Sequence, residues 1–258
     1  MYITYTLPNK KEVKLKELLY KDLRVFSLYG GTSTHSQIEF LESFILTKGL
    51  NILEKFFALI YLRLQCVGSD IIIGSNKGDI GISLEYIRSN IEGISNIETD
   101  VTIEDIQYTL DYPLHFNTGN DDFILSLIKR IKIGEEELII GDLTEEEYEQ
   151  VVDRLPKQLY NYINSFLDDK GSFFNLVLLE QRDNVEVDPI GFNIIQTGFP
   201  KFIVSMFNCI SDTGYREMLF ALSKRINDVS FLINSTYLEV HDYFELYKEE
   251  IEAERSAG

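Results

Sequence analysis

Tryptophan is absent from this 258-residue chain, and cysteine and histidine are scarce, at two and three residues. Two cysteines make no disulfide framework. Cys66 and Cys209 both sit in apolar segments and are expected to be buried free thiols. His35, His115 and His241 are scattered, with no HExxH or CxxC spacing, so neither a metal site nor a metal cofactor is expected. No tryptophan means no indole platform on which a sugar could stack. Long apolar runs are also missing: the longest, Phe56 to Leu62, falls far short of the roughly 20 residues of a membrane span. The opening MYITYTLPNKKEVK has no apolar stretch behind a positive charge, so no signal peptide is expected. The expectation is a soluble protein made in a cytoplasm, without membrane insertion.

Positive charge is the other shortage. Lysine and arginine number 24 against 42 acidic residues, a formal net charge of −18. Only the first 24 residues lean basic, through Lys10, Lys11, Lys14, Lys16, Lys21 and Arg24. A nucleic-acid binder needs a cationic footprint to displace counterions from phosphates, so DNA and RNA are excluded as expected ligands. Anionic membrane is disfavoured by the same repulsion.

What remains is ordinary globular material, 45% hydrophobic and 26% charged, long enough for one large domain or two modest ones. Ile3, Tyr5 and Leu7 alternate with Tyr2, Thr4 and Thr6. A Pro8–Lys11 turn follows, then Val13 and Leu15, which together predict a hairpin. Leu18, Leu23, Val25 and Phe26 follow helical spacing up to the break at Gly30-Gly31. Leu50, Leu53, Phe57, Ile60 and Leu64 predict a helix, with Ile52, Phe56 and Leu59 making a second apolar face, as in a helix at the centre of a fold. Arg63 would then be half-buried, its head snorkelling to water or paired with a carboxylate. Residues 70–73 and 79–83 predict a second hairpin around Gly74–Gly78. A strand is expected at 106–112, and a strand pair at 129–133 and 137–140 joined at Gly134.

From Thr144 the pattern turns helical. Thr144 with Glu147 is a capping box, ahead of Tyr148, Val151, Val152 and Leu155. Pro156 opens a helix carrying Leu159, Ile163, Phe166 and Leu167; Gln181 to Pro189 reads as a polar loop. Helices follow at 200–210, 215–226 and 236–253. The fold class is α+β. Residues 1–140 form an α+β region with two or three hairpins around a central buried helix, and residues 141–258 a mainly helical region.

Chemistry is weakly signalled. IIIGSNKGD, Ile71 to Asp79, looks like the base-recognition element of GTPases, yet no GxxxxGK[ST] loop exists to hold phosphates, so nucleotide binding is not expected. Acidic clusters at 121–122, 135–137, 145–147 and 168–169 sit at turns or helix ends, where carboxylates are solvated or favoured by the helix dipole. A carboxylate-based hydrolase stays open as a second reading, because such pairs meet only in the fold. The candidate partner-binding residues are Tyr237, Val240, Phe244, Tyr247 and Ile251. They form one apolar seam at spacings of three and four along an otherwise acidic last helix. The alternative is that this seam docks on its own domain.

Several segments, in order, resemble the T4-like bacteriophage baseplate protein family. They are LPNKKEVKLKELLYKD (Leu7–Asp22), ILEKFFALIYLRLQCVGSDI (Ile52–Ile71), VTIEDIQYTLDYP (Val101–Pro113), the run from Ile128 to Asp169, and the closing Ala221–Glu254. The second is the most recognisable, a buried helix ending in Arg63, a small residue, Val67 and Gly68, with Cys66 standing where serine is expected. The resemblance implies a non-enzymatic structural subunit or assembly factor of the baseplate hub of a contractile tail, without cofactors. It would sit in the virion tail, or in the host cytoplasm during assembly. Its partners would be other hub or tape-measure proteins in a hetero-oligomeric assembly. An alternative under the same resemblance is a tail-assembly chaperone that binds the tape-measure protein and is absent from the virion.

Overall fold

The computed structural model describes residues 2–75, 78–85, 88, 99–114, 116, 126–173, 176–178, 181–182, 185–186, 190–192 and 198–256. The chain opens with the expected hairpin. Strands β1 (Tyr2–Thr6) and β2 (Glu12–Lys16) pair antiparallel from Tyr2↔Lys16 to Thr6↔Glu12. Its turn is closed by the Lys10 amide donating to the Leu7 carbonyl at 2.8 Å, with Lys10 at φ 68°. Alternation works as it should on a half-buried ribbon: Val13 and Leu15 are fully buried while Glu12, Lys14 and Lys16 face out.

Helix α1 (Tyr20–Leu28) runs into a 3₁₀ turn at Tyr29–Gly31, and α2 (Thr34–Glu42) starts at the Ser33 cap. Leu18 belongs to the core but precedes α1, and Val25 faces outward. Helix α3 (Ile52–Cys66) is the predicted central helix, begun by a reciprocal Asn51–Glu54 capping box. Ten of its fifteen residues are buried, on all sides.

Strands β3 (Asp70–Ser75) and β4 (Gly78–Ser83) pair as the second hairpin, reaching further into the glycine-containing loop than the sequence suggested. The expected 106–112 strand and the 129–140 pair are parts of one sheet. β5 (Thr99–Ile103), β6 (Ile106–Leu110), β7 (Ile128–Ile133) and β8 (Glu136–Ile139) lie antiparallel in that order. Helices α4 (Glu145–Val152) and α5 (Lys157–Phe173) follow.

The polar stretch after α5 departs from expectation. β10 (Gln181–Arg182) pairs with β11 (Val185–Glu186), nested inside the pair of β9 (Leu176–Leu178) with β12 (Ile190–Phe192). The outer pair, Leu176–Leu178 with Ile190–Phe192, is apolar where the inner pair is polar. Helices α6 (Gly198–Phe207), α7 (Asp212–Ser223), α8 (Val229–Ile233) and α9 (Tyr237–Ser256) complete the described chain.

Among the described residues the larger apolar cluster runs from Leu7 to Phe207 and is centred on α3, with α6 packed against α2, α3 and β3. A smaller cluster joins Tyr20 of α1 to Tyr215, Met218 and Leu222 of α7, Leu232 of α8 and Val240 of α9. The architecture is α+β, with hairpins and a sheet around a buried helix and a mainly helical C-terminal part.

Candidate interaction surfaces

Arg63 sits at the junction of the central elements and does something other than snorkel. Its side chain is buried, and its partners are backbone carbonyls rather than a carboxylate. Nε donates to Met206 at 2.6 Å, Nη2 to Asp70 at 2.8 Å, and Nη1 to Gly68. Met206 lies in the last turn of α6, where unpaired carbonyls make the negative end of the helix dipole. One guanidinium therefore ties the end of α3 to the end of α6 and the start of β3. Its fork of donors suits three carbonyls in a way lysine could not. Burial lowers its pKa from the usual guanidinium value.

The same junction explains the Arg-x-x-Cys-Val-Gly ending of the helix. The Val67 and Gly68 amides both return to the Arg63 carbonyl at 2.9 Å, and Gly68 adopts φ 115°. A Cβ on Gly68 would meet the Leu238 side chain at 3.3 Å. A positive φ and a close neighbour both favour glycine here.

The predicted seam on α9 faces its own chain for most of its length. Val240 is fully buried in the smaller cluster; Tyr237, Phe244 and Tyr247 pack partly against it. Ile251 is half-buried and stands outside that cluster. Tyr20 is the pivot: its ring stacks on Tyr215 at 4.3 Å and lies 6.1 Å from Tyr237. Its hydroxyl donates to the Tyr215 carbonyl at 3.2 Å, and its amide to the Ser235 carbonyl at 2.8 Å. Burial raises its phenol well above the ordinary value. At the rim Arg24 pairs with Asp212 at 3.0 Å and lies over the Tyr215 ring.

The other side of this region lies apart from the seam. Tyr243 and Leu246, on the outer side of α9, are exposed, as is Phe231 of α8, whose ring meets Tyr243 edge-on at 5.8 Å. Spacing of three between Tyr243 and Leu246 was legible, but the stronger seam masked it. A second exposed apolar surface lies on the four-stranded sheet, at Ile133 and Leu138, while Ile139 is exposed on the opposite face.

The titratable groups have structural explanations. The Glu147 carboxyl is held below the usual range by the Thr144 amide and hydroxyl, at the predicted capping box. Asp212 is lowered by Arg24, and Glu245 by Lys248. Cys66 and Cys209 are free, and burial raises both thiols to about 11, which keeps them protonated. His35 and His241 each face a glutamate one turn on, at 3.3 and 3.6 Å from Glu39 and Glu245. No cluster of three metal-ligating side chains occurs among the described residues. His115, Asn76 and Lys77 lie outside the described residues; Gly78 and Asp79 begin β4. Among the described residues no helix is long and apolar enough to cross a membrane.

A family model described as T4 bacteriophage base plate protein matches residues 1–173, which takes in α3 with Arg63 and the four-stranded sheet. The match ends before α6 to α9, so the smaller aromatic cluster is mostly beyond it. No curated protein and no solved structure matches the chain.

Proposed function

Because the chain belongs to the T4 bacteriophage base plate protein family, we propose that it serves the baseplate hub of a contractile tail, as a structural subunit or assembly factor without catalysis. The observation that carries this reading is the family match over 173 of 258 residues. The surfaces support it. Large apolar side chains are exposed on the sheet and on α8–α9, in a chain of net charge −18. An acidic protein with separate exposed apolar patches is suited to joining other proteins and to avoiding nucleic acid. Its partners are then other hub or tape-measure proteins, in a hetero-oligomeric assembly.

Mass spectrometry of purified virions and of tail-assembly intermediates tests the reading. Abundant peptides in virions make the chain a hub subunit. Peptides confined to intermediates make it an assembly factor, including the case of a chaperone for the tape-measure protein. Absence from both overturns the proposal.

A further inference from the structure

The face of the four-stranded sheet that meets α4 carries two cross-strand rows, apolar but for Glu136 at the end of one. Register places Ile106 beside Ile133 and Ile133 beside Glu136; the next row is Tyr108, Ile131 and Leu138. Val151 of α4 and Leu155 just after it pack into the core, but the helix does not close over the outer end of the rows. An open groove of about 640 Å³ remains, with Ile133 and Leu138 on the sheet side and Leu143, Gln150 and Arg154 on the other. Ile133 is 56% exposed and Leu138 37%. Among the described residues β8 is an edge strand, paired with β7 alone. Exposed isoleucine and leucine at a sheet edge invite association, and monomeric proteins commonly blunt such edges.

Charge says what kind of chain fits. From Gly134 to Asp153 the sequence carries nine carboxylates and no basic residue, and the groove lining itself holds Glu136, Glu137 and Glu147 against one cation, Arg154. An apolar floor inside an anionic collar is complementary to apolar anchors flanked by cations. A second copy of this chain carries a net charge of −18, which disfavours its approach to the collar.

We infer that this groove docks a segment of another tail protein in which apolar anchors are flanked by lysine or arginine. The inference rests on the reading that the chain works through protein contacts, and it adds the surface and the partner's chemistry. A photo-crosslinking amino acid at position 133 of the full chain, co-expressed with the tail proteins of the same phage, tests it. Crosslinks should fall in one tail protein, within a segment that mixes apolar and basic residues. The combined change Glu135→Lys, Glu136→Lys and Glu146→Lys, all at exposed positions, should weaken that complex by on the order of tenfold or more. Reversing the partner's basic residues to glutamate should restore it. An equal charge change on α9, Glu249→Lys with Glu250→Lys and Glu252→Lys, should leave binding intact. If the collar variant has a lowered denaturant midpoint, Ile133→Gln gives an independent reading, and the same loss is expected.

Binding of tail proteins without crosslinks at 133, or unmoved by the collar and Ile133 variants, overturns the groove and leaves the protein-contact reading standing. Crosslinks to a second copy of this chain overturn it in favour of self-assembly. No association with any tail protein overturns both.

Discussion

Helices α3 and α9 begin in the same way and end up in opposite surroundings. Both are opened by a capping box: Asn51 and Glu54 for α3, Thr236 and Glu239 for α9. Ten of fifteen residues are buried in α3, against one of twenty, Val240, in α9. Local chemistry therefore decides where each helix starts and says little about what it touches. The family match includes α3 and stops before α9, but burial does not follow it: α6, also beyond the match, puts Phe202, Ile203 and Met206 into the α3 core. The C-terminal helices meet the α3 core in two ways: through α6, whose Met206 carbonyl accepts from Arg63, and through one tyrosine-rich seam against Tyr20 of α1.

The largest effect should come from the α3 side. Phe57, 3% exposed in the core of α3, should cost about 3–5 kcal/mol when truncated to alanine, read from denaturant unfolding. A loss below about 1 kcal/mol would remove the contrast between the helices.

Arg63→Met is expected next. It keeps the apolar stem and strands three carbonyls, at about 1–3 kcal/mol. Arg63→Lys should recover only part of that loss, since an ammonium cannot span the three acceptors. Full recovery by lysine would mean that charge matters at this junction and fork geometry does not.

On the α9 side, Phe244→Asp with Tyr247→Asp should lower stability by about 1–3 kcal/mol, because both side chains pack on the α7 cluster. Thermal or denaturant unfolding of the isolated protein reads this directly. Unchanged stability together with lost co-purification of tail proteins would instead assign the seam to a partner.

The smallest effects, at the caps, sharpen the comparison most. Thr236→Ala should cost about 1 kcal/mol. Asn51→Ala should lie toward about 2 kcal/mol, because Asn51 also reaches Asp111 at 3.3 Å and its partner Glu54 holds Lys11 at 3.2 Å. Equal losses would show that the surroundings of the α3 cap add nothing.

What could be read from the sequence was whatever rests on near neighbours. The alternation of residues 2–16, the Thr144–Glu147 capping box and the two-faced apolar pattern of α3 each set an element and, for α3, its depth. What could not be read depends on distant partners. Arg63 finds the Met206 carbonyl 143 residues away, so neither snorkelling nor a carboxylate was the right guess. The 106–112 strand and the 129–140 pair became one sheet only through the β6–β7 register, across residues 111–127. Tyr237, Val240, Phe244 and Tyr247 of the α9 seam meet one cluster, but a stripe in the sequence does not say which surface it meets. The groove beside α4 is a product of sheet register and helix placement together, and single residues such as Ile133 carried no sign of it.

The central claim is that this chain is needed to build a baseplate and that its surfaces do the work. Deleting its gene from the phage and examining infected-cell lysates by electron microscopy tests that most directly. The account predicts filled heads without attached tails and no complete baseplates, with tails restored when the wild-type chain is supplied from a plasmid. Normal tailed particles lacking the chain would contradict it.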